Sequence, residues 1–178
     1  MLIVNILYSP PPDGDDASST YTDRAVEYLN SIKEVSLGYV GPLQVNDNGA
    51  PLPWYIEQNN TTIEDNRCIT IFLISSSADG SVHRNVRKIM RKIPKDKSND
   101  NKQYFYAITA LGHARCENSA NQMADTIFAT ARRFDKVISS SGMFVDTTSK
   151  WKRLETQVEL TGPEVDFDPW LKSLIQSM

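Results

Sequence analysis

The stretch Cys68-Ile69-Thr70-Ile71-Phe72-Leu73-Ile74 is followed at once by Ser75-Ser76-Ser77. A short, nearly continuous apolar run is typical of a strand that is covered on both faces, as in a parallel sheet between layers of helices. Residues 2–8 and 104–111 have the same character. The sequence therefore predicts three buried strands.

Helix patterns alternate with these strands. The predicted helices run from Thr22 as N-cap through Leu29 and Ile32, over 82–93, over 123–138, and from Asp168 as N-cap with Pro169 as first residue. Weaker strand patterns lie within 35–45 and at 143–146, and loops are predicted at 9–19, 46–66, 75–80 and 147–165. This alternation predicts an α/β fold with a parallel sheet of five strands and helices on both faces.

Length and composition predict one globular domain over 1–178. Apolar residues make up 40% and charged residues 23%, and the net charge of -3 gives no reason to expect nucleic-acid binding. Two cysteines make no disulfide framework, which favours a cytoplasmic protein. The apolar N-terminus is too short for a signal peptide or a membrane span.

Ligands of such sheets bind beyond the carboxyl ends of the strands, near the point where the strand order reverses. Three segments are predicted to lie there: 9–20, 75–81 and 112–118. Hydroxyl groups at a helix N-terminus, such as those of Ser18, Ser19 and Thr20, suit a phosphate group. No spacing of His, Cys, Asp and Glu resembles a metal site.

Three motifs carry a resemblance to a known family. They are Ser75-Ser76-Ser77-Ala78-Asp79-Gly80-Ser81-Val82-His83-Arg84-Asn85, then Ala110-Leu111-Gly112-His113-Ala114-Arg115-Cys116, and finally Asp166-Phe167-Asp168-Pro169-Trp170-Leu171. In order and spacing the chain resembles the FMN-binding domain of the diflavin reductases, which include cytochrome P450 reductase and methionine synthase reductase. The resemblance implies a flavodoxin-like, doubly wound sheet with strand order 2-1-3-4-5.

The resemblance also implies a set of cofactor-binding residues for FMN. These are Ser9, Ser18, Ser19, Thr20, Ser75, Ser76, Ser77, Ala78, Gly80, Leu111, Gly112, His113 and Cys116. The implied function is electron transfer: FMN accepts electrons from an NADPH/FAD reductase module or protein and passes them to an electron-acceptor protein. The chain would then be a component of an NADPH-dependent oxidoreductase system rather than a complete enzyme.

Two other functions stay open. Cys116 stands where the family has a stacking aromatic residue, Ala78 stands where it has a glycine, and three carboxylates lie in the first loop, at Asp13, Asp15 and Asp16. These departures favour a flavodoxin-like domain without flavin that acts as an interaction or scaffold module. A hydrolase or transferase using His113 and Cys116 is the third possibility.

Several other features have two interpretations each. Ser75, Ser76 and Ser77 either meet a ligand or end the strand and cap the next helix. The aromatic pair Trp54-Tyr55 either closes the core or lines a site. The basic stretch from His83 to Lys97 is read first as the solvated face of a helix and second as a docking surface for an acidic partner. The acidic residues near the C-terminus, Glu155, Glu159, Glu164, Asp166 and Asp168, could serve in docking too.

Overall fold

The structure is a computed structural model. It describes residues 1–9, 17–44, 67–76, 81–92, 104–112, 129–141, 144–151 and 162–178. In chain order the described strands and helices are β1 (Leu2–Ser9), α1 (Ala17–Asn30), β2 (Val35–Pro42), β3 (Arg67–Ser76), α2 (Arg84–Lys92), β4 (Tyr104–Gly112), α3 (Ala129–Ser141), β5 (Phe144–Trp151) and α4 (Gly162–Ser177).

The strands form one parallel sheet in the order β2-β1-β3-β4-β5. The three buried runs predicted from sequence are its three central strands, β1, β3 and β4. The α/β class with a parallel sheet is confirmed. Among the described helices none is long and apolar enough to cross a membrane.

Two apolar clusters cover the two faces of the sheet. On one face α1 and α4 contribute Tyr21, Leu29, Phe167 and Leu174 to a cluster that includes Ile71 of β3. On the other face α2 and α3 contribute buried residues to a cluster around Phe72. Because successive side chains of a strand point to opposite faces, the neighbours Ile71 and Phe72 serve different clusters. The clusters are named below the α1/α4 side and the α2/α3 side.

An irregularity between β1 and β2 is held by Asn5. Val4 pairs with Leu37 and Ile6 with Val40, so β2 has one extra residue at this point. The amide of Asn5 lies at the bulge, where its Oδ1 accepts a hydrogen bond of 2.8 Å from the Tyr39 N–H. A Cβ atom at Gly38 would clash with that same oxygen. Asn5, together with Gly38, which has no side chain, therefore fixes the register between β1 and β2.

The first helix begins five residues earlier than predicted. Thr22 is wrong as the N-cap, because α1 begins at Ala17 and Thr22 is inside it, donating a hydrogen bond of 2.7 Å from its hydroxyl to the Ser18 carbonyl. The helix also ends at Asn30, so Ile32 lies beyond it. Ser18 is fully buried, and packing of this polar first turn is a tertiary effect that periodicity alone does not reveal.

The last helix also begins earlier than predicted. Asp168 and Pro169 are wrong as N-cap and first residue, because α4 begins at Gly162 and contains Pro169. A proline inside a helix lacks the N–H that would bond four residues back, which makes it look like a helix start in sequence. Within the helix, Asp168 forms an ion pair with Arg24 of α1, described below.

Strand ends differ from the prediction as well. Ser75 and Ser76 do not belong to the predicted turn, because they pair with Leu111 and Gly112 as the last residues of β3. β5 extends to Trp151, so residues 147–151 are not irregular, and neither are residues 162–165. Pairing with β4 supplies the backbone hydrogen bonds that make this polar segment a strand.

Candidate functional site at the carboxyl edge of the sheet

The ends of β1, β3 and β4 lie side by side at one edge of the sheet. Ser9 pairs with Ile74, and the last two residues of β3, Ser75 and Ser76, pair with the last two of β4, Leu111 and Gly112. Parallel pairing brings the carboxyl ends to the same edge. The structure therefore brings together the predicted residues Ser9, Ser75, Ser76, Leu111 and Gly112. We call this edge the rim.

Two buried hydroxyl groups at the rim have no hydrogen-bond partner in the described part of the chain. They are Ser9 Oγ at the end of β1 and Ser75 Oγ at the end of β3, and their residues are 0% and 4% exposed. A buried polar group without a partner costs about 1–3 kcal/mol. A polar ligand or water at the rim would offset this cost, so these two hydroxyls are the strongest mark of a site.

A second pair of buried polar atoms lies on the α1/α4 side of the sheet. Thr109 Oγ1 and Trp170 Nε1 also have no hydrogen-bond partner among the described residues, and both residues are buried. Alternation along β3 and β4 places the side chains of Ser75 and Thr109 on this same side. Neither Thr109 nor Trp170 was predicted from the sequence as a site residue. The available signal was a threonine inside the apolar strand of residues 104–111.

The three predicted hydroxyl residues in the first turn of α1 differ in how far they are exposed. Ser18 is fully buried, Ser19 is partly exposed and Thr20 is exposed. The Ser18 carbonyl already accepts the Thr22 hydroxyl. The N-terminus of a helix carries partial positive charge and N–H groups that its own turns do not use, so an anion near Ser19 would be stabilised.

Contacts between α1 and α4 hold this side of the rim. The rings of Tyr21 and Phe167 meet edge to face with centroids 4.9 Å apart, and Phe167 lies 5.7 Å from the ring of Trp170. Arg24 Nη2 and Asp168 Oδ2 form an ion pair at 2.7 Å. These contacts tie the start of α1 to α4, and Trp170 is thereby placed over the sheet.

On the other side of the sheet, capping contacts hold the starts of α2 and α3 together. His83 precedes α2, and its Nδ1 accepts a hydrogen bond of 3.3 Å from the Asn85 N–H. Burial lowers the pKa of His83 below its usual value of 6.5, which favours the neutral ring that this bond requires. Thr130 Oγ1 donates a hydrogen bond of 3.2 Å to the Ser81 carbonyl. Both helices therefore begin at a fixed place.

Of the remaining predicted site residues, Leu111 is buried in the core and the others lie outside the described residues. The Leu111 side chain is 1% exposed within the α1/α4 cluster, so it is part of the core, and only its backbone is available to a ligand. Five predicted residues lie outside the described residues, and their place in the site stays a prediction: Ser77, Ala78, Gly80, His113 and Cys116. The aromatic pair Trp54-Tyr55 lies outside them too.

Among the described residues, neither a reactive thiol nor a group of metal ligands marks a second site. Burial raises the pKa of the Cys68 thiol to about 11, although a hydrogen bond from Asn5 opposes this. Cys68 is therefore a poor nucleophile at neutral pH. No group of three or more possible metal ligands occurs within the described ranges.

A pocket of about 310 Å³ lies at the amino edge of the sheet, away from the rim. Most of its lining side chains are apolar, among them Leu2, Val35, Ile175 and Met178. The rim has a buried hydroxyl group without a described partner on each side of the sheet, Ser9 on the α2/α3 side and Ser75 on the α1/α4 side, so the rim is the better candidate site. Comparison of the chain with protein-family models, with curated proteins and with solved structures gives no match.

Proposed function

We propose that this chain is a flavodoxin-like domain that binds FMN at the rim and transfers electrons from an NADPH/FAD reductase module or protein to an acceptor protein. The observation that carries the proposal is the pair of buried hydroxyls, Ser9 Oγ and Ser75 Oγ, which have no partner in the described chain. The flavodoxin-like strand order is part of the proposal, and the observed strand pairings support it.

The position of these hydroxyls agrees with the rule for ligand sites in doubly wound sheets. The chain passes from β1 to β2 on one side and then to β3 on the other side of β1. The strand order therefore reverses between β1 and β3, and ligands bind beyond the carboxyl ends at such a point. Ser9 and Ser75 are at the ends of these two strands.

The described residues at the rim suit the chemistry of FMN. A phosphate group requires hydrogen-bond donors and a positive potential, which the start of α1 beside Ser19 supplies. The polar edge of a flavin ring requires donors and acceptors, and the hydroxyls at the two strand ends would supply them from opposite sides of the sheet, Ser9 from the α2/α3 side and Ser75 from the α1/α4 side. When bound, the flavin would supply the redox chemistry, and the chain would position it.

Fluorescence titration tests the proposal. Free FMN is strongly fluorescent, and we expect the purified protein to quench it at micromolar concentrations. Ser19→Asp should weaken binding strongly, because its carboxylate would repel the phosphate while favouring the start of α1. Ser173→Asp, at an exposed site on α4, is the matched control and should bind FMN as the wild-type protein does.

Two results would contradict the proposal. One is a wild-type protein that carries no flavin and does not quench FMN, which would favour the flavin-free scaffold function. The other is unchanged affinity in Ser19→Asp, which would show that the phosphate is not held at the start of α1.

A further inference from the structure

The helices α2 and α3 carry a strongly basic face. Eight of their exposed residues are basic: Arg84, Arg87, Lys88, Arg91, Lys92, Arg132, Arg133 and Lys136. The five on α2 are exposed, as both interpretations of the basic stretch require, while Lys95 and Lys97 lie outside the described residues. We call these eight residues the basic face.

The basic face has almost no acidic residue of its own. Asp135 is the one acidic residue in the two helices, and its Oδ1 accepts a hydrogen bond of 2.9 Å from the Tyr106 hydroxyl. Eight of the nineteen basic residues of the chain, but one of its twenty-two acidic residues, therefore lie on these two helices. Charge is strongly segregated in a chain whose net charge is -3.

The spacing of these charges disfavours α2 as an isolated helix. Arg84 and Lys88, as well as Arg87 and Arg91, are four residues apart, so like charges face each other on neighbouring turns. The first turn has no acidic residue to complement the positive end of the helix dipole. Arg87 Nη2 donates a hydrogen bond of 3.1 Å to the Val82 carbonyl, which offsets part of this repulsion. Like charges kept on neighbouring exposed turns are nevertheless typical of a functional surface.

The two helices form one continuous surface beside the rim. They share the cluster that contains Val86, Ile89 and Phe134. Their starts are joined by the bond from Thr130 to the Ser81 carbonyl. Because both helices follow strands that end at the rim, Arg84 and Arg133, near their starts, lie toward the rim end of this surface.

We propose that the basic face is a docking surface for the acidic surface of a partner protein. Complementary charge steers such partners and fixes their orientation. The nine residues of α2 span about 13 Å, which suits a local acidic patch. On the opposite side of the sheet, α1 carries the exposed acidic residues Asp23 and Glu27, so an extended polyanion such as a nucleic acid would also meet negative charge there, which favours a protein as the partner. This proposal does not depend on flavin binding.

Two double variants of equal net charge test the proposal. Arg84→Gln/Lys88→Gln removes two charges from the basic face, while Lys33→Gln/Lys172→Gln removes two exposed charges from the α1–β2 connection and α4. The probe is a fluorescein-labelled peptide of alternating Glu and Ser, measured by anisotropy at low ionic strength. We expect the first variant to bind the peptide roughly five- to tenfold more weakly and the second to bind within about twofold of wild type.

Folding of the variants provides an independent readout. Glutamine is a good helix former, and its introduction relieves the repulsion within α2, so the first variant should melt at the same temperature as the wild-type protein or higher. Lost peptide binding in a variant of unchanged or raised Tm would support the proposal.

Three outcomes would overturn it. The first is failure of the peptide to bind the wild-type protein at low salt. The second is an equal loss of binding in both double variants, which would show a general charge effect. The third is tighter binding of a single-stranded oligonucleotide of equal charge that is lost on Arg84→Gln/Lys88→Gln, which would assign the face to nucleic acid.

Discussion

Asn5 and Ser9 are buried polar residues on the same strand and the same side of it, yet their surroundings differ. Asn5 accepts a hydrogen bond from the Tyr39 N–H at 2.8 Å and donates one to Cys68 Sγ at 3.4 Å. Ser9, at the rim, has no partner among the described residues. The difference separates a polar group whose partners within the chain stabilise the fold from one whose hydrogen bonds the proposed ligand would complete.

The largest expected effect is at Asn5. Asn5→Leu removes the acceptor of the Tyr39 N–H inside the bulge, and we expect the free energy of unfolding to fall by about 2–3 kcal/mol. Urea denaturation measures it. Ser31→Ala, at an exposed position, should change little. If Asn5→Leu lowers the free energy of unfolding by less than about 0.5 kcal/mol, the structural role given to Asn5 is contradicted.

Two buried threonines extend the comparison to matched side chains. Thr130 donates to the Ser81 carbonyl, whereas Thr109 has no partner within the described ranges, and both are 0% exposed. Thr130→Val should therefore lower the free energy of unfolding by about 1 kcal/mol, and Thr109→Val should leave it unchanged or raise it. Equal losses from both substitutions, measured in the same urea series, would contradict the assignment.

The smallest expected effect is the pH dependence that His83 adds. Its pKa is lower in the folded chain than the usual 6.5, so its contribution to stability is complete above that pH. The contribution is lost as the pH falls from 6.5 through the lower pKa of the folded state. His83→Asn keeps a capping acceptor that does not titrate. The variant should lose less stability than wild type between neutral and mildly acidic pH, and parallel pH profiles would refute the role of the cap.

The central strands could be predicted because burial on both faces leaves an unbroken apolar run, as in residues 68–74. Helix starts could not be predicted in the same way. α1 begins with a polar turn whose Ser18 is buried by tertiary packing, and Pro169 looks like a helix start although α4 begins at Gly162. Local patterns do not contain such long-range contacts.

The place of the site was predictable, but its polar atoms were only partly so. Strand ends meet at one edge of any parallel sheet, which is why Ser9, Ser75 and Gly112 could be grouped from sequence. Whether a hydroxyl is buried and lacks a partner depends on packing from both sides. Thr109 and Trp170 therefore emerged from the structure alone.

The double variant Ser9→Ala/Ser75→Ala tests the central claim most directly, through its FMN affinity and its urea stability measured on the same preparations. We predict an unfolding free energy equal to or above that of the wild-type protein, because two buried hydroxyls without partners are removed, together with FMN binding at least about tenfold weaker. A variant that loses stability and binds FMN as tightly as the wild-type protein would contradict the account.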